Sequence, residues 1–151
     1  MRSRGVVLCL FLAIAGCGRR APNATPEGAV RELCERMRRM HGDPADAKAA
    51  YELLSKRARQ NLTARARRYS DASGKAIAPE AMIAPARFFI RFEPQRYVAQ
   101  VFEAYARVQV LGLQADQRAQ VAAVFEDGAW HVDLALPALP PVQMRPGSGQ
   151  P

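Results

Sequence analysis

Val121-Ala122-Ala123-Val124-Phe125-Glu126-Asp127-Gly128-Ala129-Trp130-His131-Val132-Asp133-Leu134 is the stretch that decides the fold. Val121, Ala123 and Phe125 recur with period two, the spacing that puts alternate side chains on one face of a strand. Trp130, Val132 and Leu134 repeat the period after Asp127-Gly128, a dipeptide whose two residues both tolerate positive φ and so close a two-residue hairpin. That turn sets the register. It pairs Phe125 with Trp130, Ala123 with Val132 and Val121 with Leu134, which puts all six on one apolar face.

Upstream, Phe102, Ala104, Ala106, Val108 and Val110 alternate with Glu103, Tyr105, Arg107 and Gln109, a pattern that predicts one half-buried strand. Phe88, Ile90 and Phe92 suggest a shorter strand ahead of Pro94. The first half of the chain changes period. Thr25-Pro26-Glu27 offers a capping hydroxyl, a first-turn proline and an acid, and Val30, Leu33, Cys34 and Met37 follow at helical spacing. Gly42 and Asp43-Pro44 punctuate before a second helix with Ala47, Ala50, Tyr51 and Leu54 inward. Ser55 caps a third with Ala58, Leu62, Ala66 and Tyr69 inward, broken at residues 71–74. A short helical turn starts at Pro79. Helices followed by an antiparallel meander define an α+β class, helices on one face of the sheet.

Three segments lead into and through that domain: Thr25-Pro-Glu-Gly-Ala-Val-Arg, Ala50-Tyr-Glu-Leu-Leu-Ser-Lys-Arg-Ala-Arg and Glu126-Asp-Gly-Ala-Trp-His-Val-Asp-Leu. Together they resemble the nuclear transport factor 2-like domains found in many small bacterial lipoproteins. The resemblance covers residues 25–136 and implies a cone, a curved sheet wrapped around helices and a pocket. It does not imply an activity, because that superfamily holds enzymes, transport factors and binding domains alike.

The amino terminus has the three-part layout of a secretory signal: Arg2 and Arg4, an apolar run from Val6 to Ala15, then small residues. The run is about half of the ~20 residues needed to span a bilayer. Ile14-Ala15-Gly16-Cys17 resembles the bacterial lipoprotein cleavage box. That resemblance implies removal of residues 1–16, lipid on Cys17, and attachment to a membrane through it. Gly18 after the cysteine points to the outer membrane, facing the periplasm. Residues 17–24 then serve as a short tether, 25–136 as the single domain, and 137–151, with five of the eleven prolines, as a disordered tail. Cys34 is left as the one unmodified thiol, on the apolar face of the first helix, where cysteine behaves as a small hydrophobe.

Charge is unevenly spread. Residues 17–75 carry 14 basic and 7 acidic side chains, and residues 76–151 carry 6 and 7. Lys56, Arg57, Arg59, Arg65, Arg67 and Arg68 crowd the third helix, a candidate surface for anionic lipid or glycan. A nucleic-acid partner is not expected of an exported chain without a nucleic-acid module.

Catalytic signals are sparse. The predicted inner face of the last strands carries no acid, histidine or amide. His131 and Asp133 share the opposite face and form the one acid–base candidate pair, with a solvated polar pair as the plainer expectation. His41 beside Gly42 reads as a helix-end cap. No close spacing of His and Cys suggests a metal site, and no phosphate loop or other cofactor signature is present. The expectation is therefore a non-catalytic, membrane-anchored domain that binds a ligand or protein partner. The alternatives are an isomerase- or hydrolase-like pocket enzyme and an accessory subunit of an envelope assembly.

Overall fold

The computed structural model describes residues 20–40, 43–83 and 90–139. Helices α1 (Pro26–Arg39), α2 (Pro44–Glu52) and α3 (Lys56–Ser73) precede strands β1 (Arg96–Phe102), β2 (Tyr105–Leu111), β3 (Arg118–Glu126) and β4 (Ala129–Val132). The strands form one antiparallel sheet in the order β1-β2-β3-β4. The class is α+β.

Each helix begins where its capping residue dictates. Thr25 accepts the Gly28 N–H, Asp43 the Ala45 N–H and Ser55 the Ala58 N–H, which satisfies one otherwise unpaired amide per helix. Proline stands first in α1 and α2. Gly74 ends α3 in the left-handed region at φ 66°. The end of the expected tether is ordered: Pro22–Ala24 form a 3-10 turn, and a side chain at Gly28 would collide with the Pro22 carbonyl. Pro79–Met82 form a second 3-10 turn, where the short helical turn was expected.

The β3–β4 register matches the expected one at Phe125–Trp130 and Ala123–Val132, and Asp127 and Gly128 both take positive φ, 52° and 82°. Val121 and Leu134 do not continue the ladder, because β4 ends at Val132. Two expectations need correction. The run from Phe102 to Val110 is two strands: Glu103, at φ 52°, and Ala104 form a turn, and Phe102 pairs with Tyr105 across it. A two-residue turn shifts the core-side positions from odd to even, here from Tyr97, Ala99 and Val101 to Ala106, Val108 and Val110, so the alternation read straight through Phe102 and Ala104 put Phe102 on the wrong face. Ile90 and Phe92 lie outside any strand, while Phe88 lies outside the described residues.

The core lies between the helices and one sheet face. Val30, Leu33 and Met37 of α1 meet Val108, Val110, Ala123 and Val132, with Leu54, Leu62 and Ile83 closing the cluster. Tyr69 departs from its expected inward place and is 60% exposed, because α3 runs past the end of the core. Phe125 keeps its face but is 46% exposed at the hairpin tip, its ring against Trp130 at 5.4 Å.

Both outer strands have their free edges partly occupied. Leu54 bridges Val132 in parallel, with Val132 N–H donating to the Leu53 carbonyl and Ser55 N–H to the Val132 carbonyl. On β1, the Ala99 N–H donates to Glu27 of α1 at 3.1 Å. Edge groups taken up within the fold cannot template another chain.

Candidate functional site

The two residues nominated for acid–base work sit where β4 meets the start of α3. Asp133 is fully committed. Its Oδ1 accepts the Ser55 hydroxyl at 2.7 Å and Arg57 Nε at 3.2 Å, and Oδ2 accepts Arg57 Nη2 at 2.7 Å. Ser55 is itself buried and caps α3. His131 is buried instead of solvated, because Leu53–Ser55 cover the free edge of its strand. Its Nδ1 has no hydrogen-bond partner. The expected solvated His131–Asp133 pair is thus replaced by a buried imidazole beside a carboxylate already held by a serine and an arginine. A base needs a reachable proton and an orienting partner, and this arrangement provides neither.

The junction performs another task. The first turn of α3 contains Lys56 and Arg57 and no acid, the wrong sign for the positive end of a helix dipole. The hairpin supplies the missing charge. Glu126 accepts the Lys56 N–H at 2.9 Å, Asp127 accepts Lys56 Nζ at 2.8 Å, and Asp133 holds Arg57. Lys56 is accordingly pushed up, and Asp127 down, by their mutual hydrogen bond. Sequence reasoning missed this link. Its signal was present, since a helix opening on two cations requires counter-charge from elsewhere in the fold.

The six basic residues expected as one anionic-surface stripe therefore divide. Lys56 and Arg57 are ion-paired to the hairpin. Arg59 is half-buried, Arg65 is half-buried and bonded to Asn61 and the Pro137 carbonyl, Arg67 is exposed and Arg68 is half-buried.

Beside α1 lies a cavity of about 280 Å³ lined by Cys34, Met37, Ile90, Phe92 and Pro94, with Arg38, Arg91 and Glu93 as its charged residues. Arg38 Nη1 donates to both Glu93 oxygens, at 2.8 and 3.0 Å. Cys34 is half-buried and lines this space. Burial pushes its thiol pKa up, opposed by a hydrogen bond with Tyr97 and by the charge of Arg38, so the thiol stays protonated at neutral pH. Burial and the nearby Cys34 push the Tyr97 phenol well above its ordinary range. The Arg31 guanidinium lies 5.1 Å from the Tyr97 ring centroid, closing this side of the wall. A wider groove of about 670 Å³ runs on past Ile90 and Phe92, over the start of β3 toward Leu134. Gly112 makes the wall between them possible, because a side chain there would collide with Phe92 and Gln117.

Cys17 and His41 lie outside the described residues, as does the tail from residue 140 onward. Among the described residues, no group of three or more His, Cys, Asp or Glu is placed to hold a metal ion, and no helix is long and apolar enough to cross a membrane. Compared with family models, with curated proteins and with solved structures, the chain matches none.

Proposed function

We propose that this chain is a lipoprotein anchored to the outer membrane through Cys17, with a nuclear transport factor 2-like domain that binds a small apolar ligand without catalysis. The observation that carries the binding half is the cavity beside α1. Its lining is mostly apolar, one thiol is held protonated in its wall, and the Arg38–Glu93 ion pair with Arg91 supplies its polar groups. Pockets that hold small ligands combine an apolar lining with few orienting polar groups. A volume of about 280 Å³ suits a compact hydrocarbon or single-ring molecule. The anchoring half is supported by the lipoprotein-like box ending at Cys17.

Cys34 is a built-in reporter. A bound apolar ligand slows its alkylation, read by mass spectrometry of the peptide containing Cys34, and Phe92→Ala abolishes the protection. Alkylation at an unchanged rate across a panel of saturating apolar compounds overturns the ligand reading. Metabolic labelling with a palmitate analogue tests the anchor independently: wild type takes the label and Cys17→Ser does not.

The accessory-subunit reading is favoured by one feature, the far face of the sheet. Val98, Phe102 and Tyr105 are exposed there, with Arg107 against the Phe102 ring. A protein partner on that face would protect all three from solvent, and cross-linking from Gln100→Cys in intact cells tests for one.

A further inference from the structure

The two halves of α3 differ in how their charge is used. Hairpin carboxylates hold Lys56 and Arg57 at its start. Toward its end come Arg65, Arg67 and Arg68, with Lys75 just beyond, against the lone acid Asp71. Arg65 donates to Asn61 Oδ1 at 2.7 Å and to the Pro137 carbonyl at 2.7 Å. Both acceptors are neutral, so the guanidinium is fixed in place with its charge intact. Arg67 and Lys75 are exposed.

Two of these cations, Arg65 and Arg68, rim a groove of about 350 Å³ that they line with Tyr69, Ala72 and Leu139. Tyr69 continues the helical stripe of Ala58, Leu62 and Ala66 but has no core to enter, and stands 60% exposed. An exposed ring on an apolar floor, surrounded by cations, matches the layering of a membrane interface. Aromatic rings settle at headgroup depth, and basic side chains meet anionic phosphates.

We propose that the carboxyl-terminal half of α3 is a docking surface for anionic phospholipid headgroups, with Tyr69 as the interfacial ring and Arg65 and Arg68 as the phosphate-facing charges. It rests on the membrane attachment proposed above for its location, and on the groove for its chemistry. The surface is narrower than the six-residue stripe read from sequence, because Lys56 and Arg57 belong to the fold.

The test uses the full chain carrying Cys17→Ser, so that no acyl chain contributes in any arm. Flotation is measured with phosphatidylcholine vesicles and with mixed phosphatidylcholine–phosphatidylglycerol vesicles. Arg65→Gln with Arg68→Gln weakens binding to the mixed vesicles roughly 30-fold at low salt, about 5-fold per lost charge, while Arg67→Gln, on the opposite side of α3, weakens it far less. The difference shrinks as salt rises. Tyr69→Ser weakens binding with less dependence on salt. Lys56→Gln with Arg57→Gln lowers the melting temperature and leaves vesicle binding unchanged. Circular dichroism confirms folding, and Arg68→Gln alone serves if the double variant is poorly folded. Equal losses from the two charge pairs would reduce the effect to net charge, and no loss from either would reduce this end of α3 to a solvated face; both overturn the proposal. The anchor and cavity readings survive that failure, because neither Cys17 acylation nor Cys34 protection enters the measurement.

Discussion

His131 shows how a residue can look chemical and be structural. On a polar strand face it is an acid–base candidate; in the fold it is a buried ring whose Nδ1 has no partner. Leaving a polar atom unpaired in the interior costs about 1–3 kcal/mol, and replacing it with an apolar side chain of similar size removes that cost. His131→Leu is therefore expected to hold or raise the midpoint of thermal unfolding. A fall of several degrees would mean that the imidazole makes a bond the fold depends on. Nothing in the period-two pattern announced its burial, because burial comes from Leu53–Ser55, a segment far away in sequence.

Between elements, the joint of α1 and α2 is made by one carboxylate. Asp46, buried in the first turn of α2, accepts Arg36 Nη1 at 2.6 Å and Arg39 Nε at 3.3 Å, and Glu32 holds the other side of Arg36 at 2.6 Å. The Arg36 guanidinium holds the Asp46 carboxyl below its usual range, with Arg39 adding to the effect. A depressed folded-state pKa contributes stability that is present above the ordinary carboxylate value, about 3.9, and is lost as pH falls through the folded value. Melting curves between neutral pH and pH ~3 should therefore fall less steeply for Asp46→Asn than for wild type. Identical slopes would mean that the joint gains nothing from the charge. The element boundaries on both sides were legible, since Thr25, Asp43-Pro44 and Ser55 are local signals read by the nearest amides. The Asp46 contacts were not, because helix spacing places a residue on a face and leaves its partner on another helix unknown.

At the scale of the whole molecule, the final hairpin ties the start of α3 and the body of α1 to the sheet. Trp130 is 8% exposed and packs with Phe125 on one side and the core on the other. Trp130→Ala should cost about 3–5 kcal/mol in denaturant unfolding. That is a large share of the ~5–15 kcal/mol that holds a typical domain together. A loss below about 1 kcal/mol would show that the hairpin is an appendage. Class and register were readable because Asp127-Gly128 and the flanking alternation agree. The Phe102–Tyr105 turn, by contrast, lacks a glycine or asparagine, and its only mark was a change of parity between Tyr97, Ala99, Val101 and Ala106, Val108, Val110 that a continuous strand hides. The cavity beside α1 was unreadable for a similar reason, since its wall at Ile90–Pro94 is irregular chain.

The bridge between Leu54 and Val132 also bears on the order in which the chain is made. Ser55 and Asp133, its neighbours, are 78 positions apart, and they bring the start of α3 to the last strand. A ribosome delivers the helices first, yet α3 opens on two cations whose counter-charges arrive with Glu126, Asp127 and Asp133. Helix α1, which lies over all four strands, likewise waits for its cover. A chain stopped before residue 96, where β1 starts, would hold helices with bare apolar faces and an uncompensated positive end at α3. The helices thus emerge carrying apolar faces and, at the start of α3, cations whose partners all lie downstream, and β4 with Asp133 is the last of those partners to arrive.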